Sequence, residues 1–197
     1  MASLTENEAK TMDFLVRNFY TDCNINQLAR ILKISPGGMF KILRKLKERG
    51  FLAEKRAGNN AFYKINFSSN DALDACKFAM TGKALTPYIS VWIKDLEPVS
   101  ELADISLLFG SVLKKGKEAG DIDILLVFGR KNLKKVEVAI EKLNKIKPKK
   151  LHAVYQTMDD LIENIKKRDK AILEEIRTGV VLKGRGFLVE AIKHGQS

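Results

Sequence analysis

Two aspartates, Asp121 and Asp123, stand two positions apart at the start of an apolar run that extends from Ile122 to Phe128. If this run is a strand, both carboxylates project from one face, because side chains alternate between the faces of a strand. Neighbouring carboxylates repel each other, and a cation between them removes the repulsion. Hard oxygen ligands suit Mg²⁺, which keeps several waters and binds substrate phosphates. The pair therefore predicts a magnesium site for phosphate chemistry, and a polar hairpin with exposed acids is the alternative.

A Gly-Ser pair precedes these aspartates. Gly110 and Ser111 follow the apolar run 105–109, which predicts a strand, and a spacer of nine residues, 112–120, then leads to Asp121. We expect this spacer to be a loop between two strands. The turn, the spacer and the paired acids together are more specific than an isolated Asp-x-Asp.

The segments Phe109–Ser111 and Asp121–Ile124 resemble the signature of the nucleotidyltransferase superfamily related to DNA polymerase β, particularly its minimal prokaryotic members. The run 176–184 is similar to the end of many minimal nucleotidyltransferases. The resemblance implies transfer of a nucleotidyl group from a nucleoside triphosphate to a hydroxyl of a protein, a nucleic acid or a small molecule. Two Mg²⁺ ions would stabilise charge on the attacking and leaving oxygens.

The same resemblance implies roles for individual residues. Gly110 and Ser111 would hold the nucleoside triphosphate, and Asp121 and Asp123 would ligate the metal ions. Lysines of the spacer would help to neutralise the phosphates: Lys114, Lys115 and Lys117.

The sequence departs from the family at the third carboxylate, which the resemblance places on the strand after the next helix. The corresponding predicted strand, residues 151–157, carries no acid, and His152 stands at the expected position. Neutral imidazole is a poorer ligand than a carboxylate for Mg²⁺, but histidine can act as a base near neutral pH. The candidate catalytic residues are thus Asp121, Asp123 and His152, with a structural or exposed histidine as the alternative for the third.

The N-terminal segment has a different pattern. Apolar residues at helical spacing predict three helices, 5–19, 25–33 and 36–49, and the residues that follow predict a β-hairpin, 51–56 and 61–67. In the second helix, Leu28, Ile31 and Leu32 are the expected core face. This order resembles the winged-helix domain of prokaryotic transcription regulators, and the resemblance covers residues 5–67.

If this domain binds DNA, the third helix lies in the major groove with its N-terminal residues nearest the bases. Ser35 and Lys41 are the exposed candidates there. The expected phosphate contacts are basic residues of the third helix and the hairpin: Arg44, Lys45, Lys47, Lys55 and Arg56. Phosphate contacts position a protein without conveying sequence information. The alternative is a winged helix that mediates dimerisation or binds a partner.

The composition is consistent with an anionic partner. The 197 residues have a net charge of +11, which favours nucleic acid. No apolar run approaches the ~20 residues that span a bilayer, the first residues do not match a signal peptide, and the two cysteines have no metal-ligand spacing. We therefore expect a cytoplasmic protein without a membrane partner.

These patterns predict an α+β protein of two domains, a winged helix followed by a nucleotidyltransferase-type mixed sheet with flanking helices. The expected bounds are 1–68 for the winged helix, 69–103 for a helical connector and 104–197 for the nucleotidyltransferase-like domain. The expected ligands are double-stranded DNA and a magnesium-bound nucleoside triphosphate. The alternative function is a weak or inactive nucleotidyltransferase fold that serves as a regulator or an antitoxin-like protein. A homodimer and a toxin partner are left open.

Overall fold

The computed structural model describes residues 3–58, 60–80 and 85–196 of the chain. Within these residues the protein has ten α-helices, two short 3-10 helices and two sheets, of three and four strands. Its contacts divide the chain into two units, residues 1–82 and 83–197. The predicted α+β class is therefore confirmed.

The first unit combines four helices with a small antiparallel sheet in its described part. Its sheet has the strand order β1-β3-β2. The elements along the chain are α1 Glu6–Arg17, β1 Cys23–Asn24, α2 Ile25–Leu32, α3 Pro36–Glu48, β2 Leu52–Ala57, β3 Asn60–Ile65 and α4 Asn70–Ala79.

Side-chain caps start the first three helices. Thr5 forms a capping box with Glu8 at the start of α1, and Asn24 forms one with Gln27 at the start of α2. Ser35 caps α3 by accepting the Gly38 N–H at 3.2 Å. Each cap satisfies backbone N–H groups that have no partner inside the helix. The predicted helix starts are therefore confirmed.

The prediction that Ile31 lies in the core of the first unit is wrong. Ile31 is 46% exposed, whereas Leu28 and Ala29 are buried. At 3.6 residues per turn, Ile31 lies about 110° around α2 from the centre of the Leu28 and Ala29 side. The spacing of apolar residues along the sequence did not show which side of α2 packs against the core.

The second unit is built on a four-stranded mixed sheet in the order β6-β5-β4-β7, in which β5 and β6 are parallel and the other pairs antiparallel. Its first elements are α5 Pro87–Ser100, β4 Ile105–Phe109, α6 Val112–Lys115, β5 Ile122–Val127 and α7 Leu133–Ile146. They are followed by β6 Leu151–Gln156, α8 Met158–Lys166, α9 Lys170–Thr178, β7 Val180–Lys183 and α10 Arg185–Gly195. The segment 69–103, expected as a helical connector, contributes α4 to the first unit and α5 to the second.

Helices cover both faces of this sheet. Leu108 and Ile124 belong to one core cluster with Trp92 of α5 and Val136 of α7. On the opposite face, α9 and α10 contact β4, and an added Cβ at Gly179 would lie 2.8 Å from Leu107. Along each strand, alternate residues therefore enter two separate apolar layers.

The spacer 112–120 is not the simple loop that we expected. It contains the helical turn α6 and a 3-10 turn over Gly116–Glu118. Val112 and Ala119 are buried in the core cluster, and this burial holds the short segment in helical turns against the sheet. Across the described residues, no helix has both the length and the apolar character that a membrane crossing requires.

We predict that Leu108→Ala lowers the stability of the second unit by about 2–5 kcal/mol, because the substitution leaves a cavity in a close-packed core. Leu108 has no exposed surface. Trp92 is the only tryptophan of the chain, so its fluorescence during urea unfolding follows this unit alone. The control is Val138→Ala, since Val138 is 51% exposed. Equal effects of the two substitutions would contradict the described core.

Candidate functional site

Three side chains meet at one end of the mixed sheet. Asp123 pairs with Phe109 across the β4–β5 ladder and with His152 across the parallel β5–β6 ladder. Asp121 immediately precedes β5. One ligand atom from each of Asp121, Asp123 and His152 lies within 4.8 Å of the others. The group could therefore hold a metal ion.

The charges of this group favour a cation. His152 Nδ1 lies 3.1 Å from Asp121 Oδ2 and 4.0 Å from Asp123 Oδ1. Partial burial raises the pKa of Asp123, and the neighbouring Asp121 carboxylate raises it further, while His152 and a hydrogen bond from the Ser111 N–H lower it. A divalent cation would stabilise both ionised carboxylates, because opposite charge favours the charged form of an acid.

Gly110 is packed directly against one of these acids. It has φ +82°, and a Cβ at this position would lie 2.0 Å from Asp123 Oδ2. Both the positive φ and the missing space require glycine. The next residue, Ser111, donates its backbone N–H to the Asp123 carboxylate. The Gly-Ser turn and Asp123 are thus joined by a hydrogen bond and by close packing, although they are separated along the chain.

A cleft of about 670 Å³ adjoins the Gly-Ser turn. Gly110 and Ser111 line it together with Lys114 and Lys115, both exposed residues of α6. Within the described part of the chain, Lys117 does not line the cleft. Its backbone carbonyl instead accepts a hydrogen bond from Lys149 Nζ at 2.8 Å. Two of the three predicted phosphate-neutralising lysines are therefore next to the Gly-Ser turn.

Glu175 of α9 lines the same cleft and is absent from the predicted site. Burial raises its pKa to about 7, and the charges of Asp169 and Asp123 add to the shift. Its Oε2 atom is buried and has no hydrogen-bond partner among the described residues. The sequence offered one indication: Glu175 lies at the edge of the apolar stripe formed by Ile172 and Ile176.

In the first unit, three of the residues predicted to contact DNA differ in their surroundings. The Ser35 side chain is engaged as the cap of α3. Lys41 is exposed on α3, and Lys55 is exposed on β2. Neither lysine forms a salt bridge with any residue that the structure describes. Ser35 thus caps α3, Lys41 belongs to α3 and Lys55 to the hairpin of β2 and β3, and both lysines are exposed.

The other predicted phosphate contacts are paired with acids. Arg44 Nε lies 3.3 Å from Glu48, and Arg56 Nε lies 2.8 Å from Glu54. Lys45 Nζ lies 2.7 Å from Glu8, a carboxylate that is almost fully buried. Lys45 therefore joins α3 to α1, a structural role that the sequence did not indicate.

Comparison of the chain with protein-family models, with curated proteins and with solved structures returned no match.

We predict that Gly110→Ala weakens divalent-metal binding by about 10–100-fold, the range found when residues that orient metal ligands are replaced. The new Cβ would displace the Asp123 carboxylate. Binding is measured by titrating Mn²⁺ and following its electron paramagnetic resonance signal.

The control is Gly120→Ala, because an added Cβ at Gly120 meets nothing within 4 Å. Equal Mn²⁺ affinity in the two variants would contradict the role assigned to Gly110.

Proposed function

We propose that the second unit binds a nucleoside triphosphate with Mg²⁺ and transfers a nucleotidyl group to a hydroxyl acceptor. The observation that supports this most directly is that the Gly110–Ser111 turn packs against Asp123, a member of the Asp121, Asp123 and His152 group. A site with an accessible backbone turn, two carboxylates and adjacent lysines offers partners for both a cation and a polyphosphate.

In this proposal the triphosphate lies against the Gly110–Ser111 turn on the side that lines the cleft. Lys114 and Lys115 face the cleft beside the turn and neutralise phosphate charge. Asp121 and Asp123 supply the oxygens that hold the metal. Bound Mg²⁺ would stabilise the negative charge that develops on the attacking and leaving oxygens.

The hydroxyl oxygen attacks the α-phosphorus, and the bond from this phosphorus to the bridging oxygen breaks, so that pyrophosphate leaves. His152 accepts the hydroxyl proton. Its contact with Asp121 orients the imidazole, and its side chain is 61% exposed, which gives an acceptor access. Imidazole suits this role because histidine exchanges protons near neutral pH.

We predict that Asp121→Asn lowers nucleotidyl transfer by at least about 100-fold, because an amide cannot replace a carboxylate that binds the metal. The measurement is transfer of ³²P from α-labelled triphosphates to protein, nucleic-acid and small-molecule fractions. Asp159→Asn is the matched control, since Asp159 is an exposed acid at the start of α8.

Transfer that persists in Asp121→Asn would contradict the proposed enzyme. Nucleotide binding without labelling of any fraction would favour the alternative, a regulator or antitoxin-like protein with an inactive nucleotidyltransferase fold. A homodimer and a toxin partner remain predictions.

We propose a second function for the first unit, the binding of double-stranded DNA as a winged helix. The supporting observation is the order α2, tight turn, α3, hairpin, with Lys41 and Lys55 exposed on α3 and on β2. Lys33 at φ +56° makes the tight turn between α2 and α3. A recognition helix of this kind reads the major groove, and the flanking cations contact phosphates.

We predict that the double substitution Lys41→Ala, Lys55→Ala weakens DNA binding and reduces the slope of log affinity against log salt concentration by about 2. Each lost lysine–phosphate contact removes about one unit of this slope. Fluorescence anisotropy of a labelled duplex at several KCl concentrations gives both quantities.

Lys10→Ala is the control, because Lys10 is an exposed residue of α1 that pairs with Glu6. A double variant that binds DNA with the same salt dependence as this control would exclude the proposed surface.

A further inference from the structure

Glu175 lies on the same side of the mixed sheet as Asp123. Asp123, paired with Phe109, lies on the same face of the sheet as Leu107. The end of α9 packs on that face, since an added Cβ at Gly179 would meet Leu107. Glu175, one turn before Gly179, therefore lies on the aspartate side of the sheet and lines the cleft beside Gly110.

The other acids near Glu175 already have partners. Asp169 caps α9 by accepting the backbone N–H groups of Ala171 and Ile172, each at 3.0 Å. Glu174 accepts two hydrogen bonds from Arg177. Glu175 Oε2 has no hydrogen-bond partner in the described part of the chain although it is buried. A buried acceptor without a donor is unfavourable, and a ligand that supplies the donor relieves it.

The cleft that Glu175 lines suits an organic ring. Much of the cleft wall is apolar: Leu85, Ile89, Leu113, Ala171 and Val180. The volume of about 670 Å³ is within the range of about 300–1,000 Å³ that small-molecule sites occupy. Apolar walls with few polar groups are the usual arrangement in such sites, where the polar groups determine orientation and specificity.

Within the described residues, Glu175 does not belong to the Asp121, Asp123 and His152 group that could hold a metal ion. A part of the nucleotide other than the metal-bound phosphates is therefore its natural partner. The Gly-Ser turn and Glu175 both line the cleft, so a nucleotide with its phosphates at the turn could place its base against this carboxylate.

We propose that this cleft is the nucleobase subsite and that Glu175 selects guanine, an inference that rests on the proposed nucleotide function. An ionised carboxylate only accepts hydrogen bonds. Guanine presents two adjacent donors on its Watson–Crick edge, the N1–H and the 2-amino group, which match the two carboxylate oxygens. Adenine and cytosine each place an acceptor beside their amino group, and uracil flanks its single N–H with two carbonyl oxygens.

The experiment compares the binding of α,β-methylene analogues of GTP, ITP, ATP, CTP and UTP in the presence of Mg²⁺ by isothermal titration calorimetry at pH 8, above the Glu175 pKa of about 7. We expect the guanine analogue to bind at least about tenfold more tightly than those of adenine, cytosine and uracil, the factor that one charge-assisted hydrogen bond supplies. The inosine analogue, which lacks the 2-amino group, binds with intermediate affinity.

Glu175→Gln is the decisive variant, because glutamine offers one acceptor and one donor. This pair can bond to the amino group and ring nitrogen of adenine or cytosine, and equally to an N–H and a carbonyl oxygen of guanine or uracil. We therefore expect Glu175→Gln to lose the preference for the guanine analogue, a change that a purely structural role of Glu175 would not produce. The control is Glu163→Gln, at an exposed residue of α8 that pairs with Lys167, and it keeps the guanine preference.

The fold of Glu175→Gln is checked by the unfolding of the second unit through Trp92 fluorescence at pH 8. Because burial raises the Glu175 pKa to about 7, the ionised acid destabilises the native state above that pH. We therefore expect the neutral glutamine to be at least as stable there.

Failure of this inference and failure of the proposed function give different results. Equal binding of all five analogues, unchanged in Glu175→Gln but lost in Asp121→Asn, would overturn the base selection and leave the proposed function standing. Binding of no analogue by the wild-type protein would overturn both. A preference for another base that Glu175→Gln does not alter would also overturn the assignment to Glu175.

Discussion

The contact between Gly110 and the Asp123 carboxylate is the constraint on which the candidate site depends. It requires that Phe109 and Asp123 face each other across β4 and β5. A slip of one residue would turn both aspartates toward the opposite face, where α5 and α7 pack. The observed register avoids this, because two carboxylates placed in the apolar layer of Leu108 and Ile124 would be buried without partners. The apolar layer thus determines where the carboxylates lie.

Acids determine which of the many basic residues are available for a partner. In the first unit, Glu8 binds Lys45, and Glu54 binds both Lys47 and Arg56. A net charge of +11 therefore overstates the cationic surface of the proposed recognition helix and hairpin. In the second unit the acids of the site lie close to one another instead. Lys114 and Lys115 of α6 line the cleft beside the Gly-Ser turn.

The site contains an imidazole where the nucleotidyltransferase resemblance leads one to expect a third carboxylate, and a partly buried carboxylate lies elsewhere in the second unit. His152 is exposed and lies beside Asp121. Glu175 is on α9 and lines the cleft together with the Gly-Ser turn. In the proposed complex these two titratable groups would serve different ends of one nucleotide, His152 near the phosphates and Glu175 at the base.

Local patterns in the sequence determined most of the elements and the central part of the site. Caps at Thr5, Asn24 and Ser35 start helices through hydrogen bonds to residues three positions away, and strand alternation placed Asp121 and Asp123 together. Other features depended on residues distant along the chain: the 3.1 Å contact of His152 with Asp121, the ion pair of Lys45 with Glu8, and the position of Glu175. Hydrogen bonding and alternation act over a few residues and can be inferred from them. Strand order, helix packing and burial depend on the whole apolar core, so only the tertiary structure decided which charges were paired and which were left facing the cleft.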